Sequence, residues 1–371
     1  MQESEDQSYD LQLIQAFEEG QNSGEMRYFD SEEFEEITSY YLAVEDTENA
    51  RDAISHGLDQ HPGHSDLLLM NSRVLLHEGK LNQALNQLDE LLLEQQDNDE
   101  LWALKAEVYS ELLEHDLAIL YYQKALEVCD PDNRAYYQVE VAHEQIMKND
   151  AEAAGRTLKM CLRSYPDYEP AYTSLFVLAN ANDEVQGALA YFKRLTDKNP
   201  YNKLAWYSMG LCYKQLDLHE ESVHCFDLVL TIDEDFYEVY MDLANAYMAM
   251  EWWGKALEAL KIARKSYNDP TQILYLRAEC YFHQERYNKS LFCFRKVAHY
   301  LPDHAEAWFG IGLCLHELGH SKEGLAHLNH ALSLDSESFD MRLGKANMLK
   351  EMGEFGEAEN VYIRLSESHP D

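Results

Sequence analysis

The chain of 371 residues carries 68 acidic and 30 basic side chains, which gives a formal net charge of −38. Such a surface repels the phosphates of nucleic acids and anionic membranes, which argues against nucleic acid as a partner. The first residues show no secretory signal, and no run of about 18 apolar residues follows. These features favour a cytoplasmic protein without a membrane-inserted segment.

The cysteines give no sign of a disulfide framework. Seven of them are scattered along the chain without a CxxC pair. A chain of this length needs no disulfide staples, so we expect reduced thiols in the core. Cys212/Cys225 and Cys280/Cys293 share a 13-residue spacing, which leaves open a redox-sensitive link, although buried thiols are the simpler interpretation.

Residues 1–30 form an acidic segment that precedes any long-range pattern. Leu11, Ile14 and Phe17 recur at helical spacing, which predicts one amphipathic turn and a half. Its apolar side needs a partner, and the pattern that begins at residue 31 lies directly after it. We therefore expect this short helix to cover the start of that pattern.

A strong helix start follows the N-terminal segment. Asp30 and Glu33 have the spacing of a capping box, in which each side chain accepts a hydrogen bond from the other residue's backbone. Phe29 and Phe34 have the spacing of a hydrophobic staple. The sequence therefore predicts a helix that begins at Ser31.

From Ser31 onward, a small side chain returns at the same phase every 34 residues, except for two residues added around Asp130-Pro131. Four positions after each small residue comes a large apolar one. Self-similarity at this period is typical of stacked helical repeats, in which each unit contacts only its neighbours. The small residues are Ala50, Ala84, Ala118, Ala154, Ala188, Ser222, Ala256, Ser290, Gly324 and Ala358.

Ten units fit this period, and each contains two runs of apolar residues at three-and-four spacing. In the unit 305–338, Gly319 separates the two runs, so we predict two antiparallel helices joined by a tight turn. All eight prolines lie between units or in the first turn of a unit, where they do not break a helix. The units are 31–64, 65–98, 99–134, 135–168, 169–202, 203–236, 237–270, 271–304, 305–338 and 339–371.

A second series of small residues lies on the predicted first helices, where the paired helix must come close. Phe176 alone breaks this series. We expect its ring to splay or repack the 169–202 pair and to produce a local bend. The series comprises Thr38, Ser72, Ala106, Ala142, Gly210, Ala244, Ala278, Gly312 and Ala346.

Aromatic residues complete the pattern. Trp102, Trp206 and Trp308 lie near the start of their units, and Tyr109 and Tyr213 lie seven residues after the first two. Together with the period, this pattern resembles the tetratricopeptide repeat (TPR) over about nine-tenths of the chain. The resemblance implies an all-α, right-handed superhelical solenoid of about ten helix-turn-helix repeats. In that family the first helices line a concave groove that binds peptides or protein segments.

The resemblance also implies that the second, fifth, ninth, twelfth and thirteenth residues of each unit face the groove. At these positions the first units are acidic, as at Glu35, Asp66 and Glu107, and the middle units are apolar or neutral. Packing between neighbouring first helices is the alternative role for the aromatic residues. The predicted partner-binding residues at these positions are Tyr136, His143, Tyr207, Lys214, Asn245, Tyr275, Phe282 and Phe309.

A pair of tryptophans marks the predicted turn of the unit 237–270. Trp253 has the phase of an inward-packing aromatic residue, whereas Trp252 has a phase that is usually polar and exposed. Exposed tryptophan is enriched at the energetic centres of protein interfaces. We therefore add Trp252 to the predicted partner-binding residues.

One enzyme motif occurs literally in the sequence. His316-Glu317-Leu318-Gly319-His320 matches HExxH, in which two histidines one helical turn apart bind zinc. Gly319 falls at the turn position of its unit, so His320 should lie beyond the helix. Weak metal binding involving the nearby His327 and His330 is a further alternative. We predict no catalytic, cofactor or metal site.

These features predict a non-catalytic scaffold that binds a peptide or protein segment in its groove. A segment with apolar anchors and basic flanks suits the predicted groove. Clamping of an acidic tail is disfavoured, because no unit has lysine at its second or fifth residue.

Two alternatives concern the end of the sequence. No polar helix follows to cover Val361, Tyr362 and Leu365, so the last unit could assemble a homo-oligomer. Alternatively, the chain could be the recognition arm of a larger enzyme whose catalytic part lies beyond Asp371, as in glycosyltransferases of similar architecture.

Overall fold

A computed structural model describes residues 11–24, 27–265 and 269–368. The described residues form helices and no strands. None of these helices is long and apolar enough to cross a bilayer. The helices are α1 (Leu11–Ser23), α2 (Ser31–Ala43), α3 (Thr47–Gln60), α4 (Ser65–His77), α5 (Leu81–Glu94), α6 (Asp99–Glu111), α7 (His115–Val128), α8 (Arg134–Met147), α9 (Ala151–Ser164), α10 (Glu169–Ala181), α11 (Val185–Lys198), α12 (Lys203–Gln215), α13 (His219–Ile232), α14 (Val239–Ala249), α15 (Trp253–Ala263), α16 (Thr271–His283), α17 (Tyr287–Tyr300), α18 (Ala305–Glu317), α19 (Ser321–Leu334), α20 (Phe339–Glu351) and α21 (Phe355–Ser368).

Helices α2 to α21 alternate as first and second helices of consecutive pairs, with one pair in each 34-residue unit. The two inserted residues are absorbed at the 3-10 turn Pro131–Asn133, directly before α8. The buried apolar side chains form successive clusters along the chain instead of one central core. These observations confirm the all-α helix-turn-helix repeat predicted from the period.

Both series of small residues are buried where the two helices of a pair approach each other. The Ser222 hydroxyl donates a hydrogen bond of 2.8 Å to the Gly210 carbonyl, which belongs to the facing series. A Cβ atom on Gly324 would lie 2.6 Å from the Gly312 carbonyl oxygen, which is too close for any larger side chain. Close backbone contact between the paired helices therefore explains why a small side chain recurs every 34 residues.

The turn inside each pair contains one residue with a left-handed backbone at the same phase. Gly79, Gly319 and Gly353 occupy it with φ of +71°, +85° and +83°. Elsewhere an L-residue adopts this conformation, which costs on the order of 1 kcal/mol. These residues, with φ between 56° and 61°, are Glu45, Leu113, Asn149, Asp183, Asp217, Glu251 and Glu285.

The chain divides into two compact units, one up to Asn182 and one from Asp183 onward. The boundary falls in the turn of the 169–202 pair, the pair in which Phe176 replaces the small residue. The Phe176 side chain is half-buried. The local bend expected at this pair stays a prediction.

The N-terminal helix is longer than the sequence predicts, and its apolar side is different. Ile14 and Phe17 are buried as expected, but Leu11 is 67% exposed and Leu13 is buried in its place. The Phe17 ring lies 6.1 Å from the Phe29 ring. The prediction for Leu11 is wrong because it lies at the first residue of the helix, outside the side that packs on the first pair.

The helix start at Ser31 follows the prediction. The Glu33 backbone donates to the Asp30 carboxylate at 2.9 Å, and the Asp30 backbone donates to the Glu33 carboxylate at 2.9 Å. Phe29 and Phe34 are fully buried with ring centroids 5.4 Å apart. Both the capping box and the staple are therefore confirmed.

At the other end, the last helix packs more completely than expected. Leu365 is buried, Val361 and Tyr362 are half-buried, and the Tyr362 hydroxyl donates to Asn347 at 2.6 Å. The expectation that Leu365 lies uncovered is wrong, because α21 turns it onto its own pair. The exposed large apolar side chains of this pair are instead Phe339, Phe355 and Ile363.

Candidate protein-binding surface

The first-helix face is the surface formed by residues at the second, fifth, ninth, twelfth and thirteenth positions of each unit. All the predicted partner-binding residues on it are half-buried, so each packs on one side and meets solvent on the other. They lie in α8 (Tyr136, His143), α12 (Tyr207, Lys214), α14 (Asn245), α16 (Tyr275, Phe282) and α18 (Phe309). Trp252 lies outside this face, in the turn before α15.

In the unit up to Asn182, the first-helix face has an open apolar part. Met147 is 64% exposed at the end of α8, and Val177 is 56% exposed in α10. About one helical turn before each of them, His143 Nε2 lies 3.0 Å from the Ser174 hydroxyl, which joins the two first helices. The hydrogen bond to Glu140 is the main cause that raises the pKa of His143.

In the unit from Asp183 onward, two predicted residues share one acceptor. The Tyr207 hydroxyl donates to Asp242 Oδ2 at 2.7 Å, and Lys214 Nζ donates to Asp242 Oδ1 at 2.6 Å. Asp242 belongs to α14, the first helix of the next pair. These polar groups therefore hold neighbouring first helices together, as in the packing alternative.

Further aromatic residues on this face also contact the next pair. The Phe309 ring packs on Gly344, where an added Cβ would lie 2.6 Å from the ring and displace it. The Tyr275 ring lies 5.3 Å from the ring of His304, the residue that caps the start of α18. Phe282 instead packs within its own pair, 5.4 Å from the Tyr287 ring. Each of these rings has one buried side.

Trp252 is 44% exposed and part of a small stack. Its ring lies 6.0 Å from the Tyr247 ring, and Lys255 Nζ lies 4.2 Å above its centroid. Trp253 is half-buried and stacks on His283 of the next pair at 4.3 Å. The outward phase of Trp252 and the inward phase of Trp253 agree with the sequence prediction.

The first pairs carry crowded carboxylates. Glu35, Asp66 and Glu100 line a cavity of about 780 Å³ together with Arg73, which pairs with Glu100 at 3.3 Å. Burial, and next the charge of Asp66, raises the pKa of Glu35. Burial also raises the pKa of Glu107, although Arg73 partly opposes it. The acidic start predicted for the first-helix face is therefore present in this unit.

The HExxH match is divided between a helix and a turn. His316 lies in α18, whereas His320 precedes α19 after the left-handed Gly319. His316 Nδ1 lies 2.9 Å from the Ser321 hydroxyl, and Nε2 lies 2.8 Å from Glu351 Oε2. Both ring nitrogens are therefore occupied by side chains of the protein.

The other histidines near the motif serve in packing. The rings of His327 and His330 lie 5.5 Å and 4.8 Å from the Trp308 ring. Among the described residues, ligand atoms of Glu35, His64 and Asp66 lie within 4.8 Å of one another. Carboxylates at such distances are common in a strongly acidic chain, so we assign no metal to them.

All seven cysteines are free and buried, as the composition predicts. Burial raises the pKa of Cys212 and of Cys225 to about 12. Burial likewise raises the pKa of Cys280 to about 12 and that of Cys293. Since the thiolate is the reactive form, these groups have the properties of inert core residues.

Known proteins with similar sequences or structures include subunit 3 of the anaphase-promoting complex of Schizosaccharomyces pombe. It is 20% identical over 76% of this chain, and the chain spans about half (48%) of that relative's length. A MamA structure from Desulfovibrio magneticus has 17% identity, covers 46% of this chain and 97% of its own, and gives a TM-score of 0.42. The structure of a tetratricopeptide repeat protein from Parabacteroides merdae has 16% identity, covers 77% of this chain and 98% of its own, and gives a TM-score of 0.41.

Three family models, each described as a tetratricopeptide repeat, match the chain. One matches residues 41–108, a second matches 241–291, and a third matches 99–131, 204–236 and 305–338. These ranges cover more than half of the chain and include helices of both compact units. The chain belongs to the tetratricopeptide repeat family, whose arrays are scaffolds for protein–protein interaction.

Proposed function

We propose that the chain is a non-catalytic scaffold that binds a protein segment with apolar anchors and basic flanks on its first-helix face. The observation that carries this proposal is the open apolar part at Met147 and Val177, which are 64% and 56% exposed. Isolated exposed apolar side chains are common, but these two lie on adjacent first helices at predicted groove positions. An apolar anchor placed there would remove both from water.

The charge preference of the partner follows from the carboxylates in the first pairs. Glu35 and Glu107 have raised pKa values because burial disfavours their charged forms and other carboxylates lie near them. A lysine or arginine beside them would favour the charged forms. Basic flanks of a partner would therefore offset the repulsion between these carboxylates, which favours the complex.

The similar protein of fission yeast is, by its name, a subunit of a complex. That description supports an assembly role for this chain. A catalytic part beyond Asp371 and a cytoplasmic location both stay predictions. Self-association through the last pair also stays a prediction, now resting on the exposed Phe355 and Ile363.

Truncation of the apolar side chains tests the proposal. The probe is a labelled peptide with two leucines between lysine-rich flanks, and its binding is measured by fluorescence anisotropy. We expect the double variant Met147→Ala, Val177→Ala to bind about fivefold more weakly, because part of a buried apolar contact of about 1 kcal/mol is lost. A peptide with glycine in place of leucine should bind the unchanged protein equally weakly.

Met160 provides the matched control. It is 51% exposed in α9, the second helix of the same pair as Met147. Met160→Ala should leave peptide binding unchanged. Equal losses from the Met147→Ala, Val177→Ala double variant and from Met160→Ala, or equal binding of the leucine and glycine peptides, would reject the first-helix face as the binding surface.

A further inference from the structure

A cavity of about 480 Å³ lies between α16 and α17, beside the end of α15. Its volume is in the range of known ligand pockets, on the order of 300–1,000 Å³. Ile273 and Cys293 line its buried part and are 2% and 4% exposed. At its edge, Phe292 and Tyr300 are 59% and 54% exposed. The cavity thus has an apolar interior and an aromatic rim.

Four cations surround this apolar interior, namely Arg264, Arg277, Lys289 and Lys296. None of the described residues that line the cavity carries a carboxylate. This composition stands out in a chain with 68 acidic and 30 basic side chains. The local charge is therefore opposite to that of the chain as a whole.

These cations also lack the partners that other basic residues of the chain have. Lys203, Lys214 and Arg73 each pair with a carboxylate. Among the described residues, no carboxylate lies within ion-pair distance of any of the four cations at the cavity. Their charge is thus available to an anion that docks from outside.

Two of the lysines instead lie over aromatic rings of the cavity. Lys296 Nζ lies 4.7 Å from the Phe292 centroid, and Lys289 Nζ lies 5.5 Å from the Tyr281 centroid. A cation above an aromatic ring is attracted by the negative face of the ring. These contacts hold the ammonium groups beside the apolar opening. A ligand with an acidic group next to an apolar anchor could therefore place the anchor in the cavity and pair the acidic group with a lysine.

We propose that this cavity binds an acidic segment of another protein, with one aromatic or aliphatic side chain in the cavity and flanking carboxylates paired with the four cations. The inference rests on the proposed scaffold function and adds a second binding surface with the opposite charge preference. The cavity is formed by third, fourth, seventh and eleventh positions of the first helix α16 and by the second helix α17. It is thus distinct from the first-helix face.

The direct test uses a fluorescein-labelled peptide in which one tryptophan lies between glutamates on both sides. We expect binding that weakens as NaCl concentration rises, because the contacts are exposed charge pairs. The double variant Arg277→Glu, Lys296→Glu should lower the affinity about tenfold, since two attractive contacts become repulsive. A peptide with glutamine in place of glutamate should bind the unchanged protein about tenfold more weakly.

Arg295 is the matched control, because it neighbours Lys296 on α17 but lies outside the lining of the cavity. Arg295→Glu should leave affinity nearly unchanged, with folding of each variant checked by circular dichroism. Phe292→Ala should weaken binding without altering its salt dependence. Equal effects of Arg295→Glu and Lys296→Glu, or equal binding of the glutamate and glutamine peptides, would overturn the proposal.

Other occupants give different outcomes. Binding to vesicles with about one-third phosphatidylserine, lost on Arg277→Glu, Lys296→Glu, would replace the protein partner by a membrane and overturn the proposal. Self-association lost in the same variant would assign the cavity to a second copy and overturn it as well. The lysine-rich peptide should bind this variant normally, so failure here leaves the first-helix face untouched.

Discussion

Two regions of one acidic chain differ in the sign of their local charge. In the unit up to Asn182, Glu35, Asp66 and Glu107 lie on the first-helix face. In the unit from Asp183 onward, cations including Arg277 and Lys296 surround an apolar cavity. Net charge alone would give both regions the same partners. Under the two proposals, the helix positions that carry the charge, and not the net charge, decide which partner each region binds.

The largest expected effect tests the acidic region by neutralising three carboxylates on the first-helix face. Exchange of the three carboxylates for the corresponding amides should lower the affinity for the lysine-rich peptide about tenfold at low salt, because attractive charges are removed. Binding of the glutamate-rich peptide should not change. Fluorescence anisotropy measures both. The substitutions are Glu35→Gln, Asp66→Asn and Glu107→Gln.

A control with the same change in net charge uses exposed acids on the second helices of the same three pairs. This triple variant should keep the affinity of the lysine-rich peptide within about twofold. Should both triple variants weaken binding equally, general attraction to an acidic protein would explain it and the comparison would fail. The control substitutions are Asp59→Asn, Glu90→Gln and Glu127→Gln.

A smaller effect concerns pH. Burial and nearby carboxylates raise the pKa of Glu35 and Glu107 above the usual glutamate value of about 4.3. These groups gain protons first as pH falls, so the lysine-rich peptide should bind about threefold more weakly at pH 5 than at pH 7. The glutamate-rich peptide should lose affinity only nearer pH 4. Identical pH profiles for the two peptides would argue against distinct surfaces.

The smallest effect is on stability. The raised pKa of Glu107 means that the folded state binds a proton more tightly than the unfolded state, so this group opposes folding increasingly as pH rises. Glu107→Gln should raise the free energy of unfolding at pH 7 by about 0.5 kcal/mol. Urea denaturation measures it, with Glu127→Gln as an exposed control without effect. A loss of stability in Glu107→Gln would contradict the claim that the charged form of Glu107 opposes folding.

Much of the fold follows directly from sequence, because the 34-residue period records contacts that recur in every pair. The burial of Ser222 and Gly324 and the capping box at Asp30 follow from spacing alone. The left-handed turn at Leu113 does not, since the backbone is imposed by the pair and the residue is not glycine. Leu11 was misplaced for a related reason, because apolar spacing does not show which side a helix packs.

The surface was harder to predict than the fold. Asp242 accepts hydrogen bonds from both Tyr207 and Lys214. It lies at the sixth position of its unit, outside the expected groove positions. The cationic cavity combines Arg264, which directly follows α15, with Lys296 from α17. Such groups come together only after folding, so no motif in the sequence predicts them.

The most direct test of the scaffold function is photo-crosslinking of the whole chain to the lysine-rich peptide, with the photoreactive group next to the leucines. Mass spectrometry of the products locates the contacts. We predict crosslinks in α8 and α10, at or near Met147 and Val177, and their loss when glycine replaces leucine. Crosslinks concentrated on second helices, such as near Met160 in α9, would contradict the proposed binding surface.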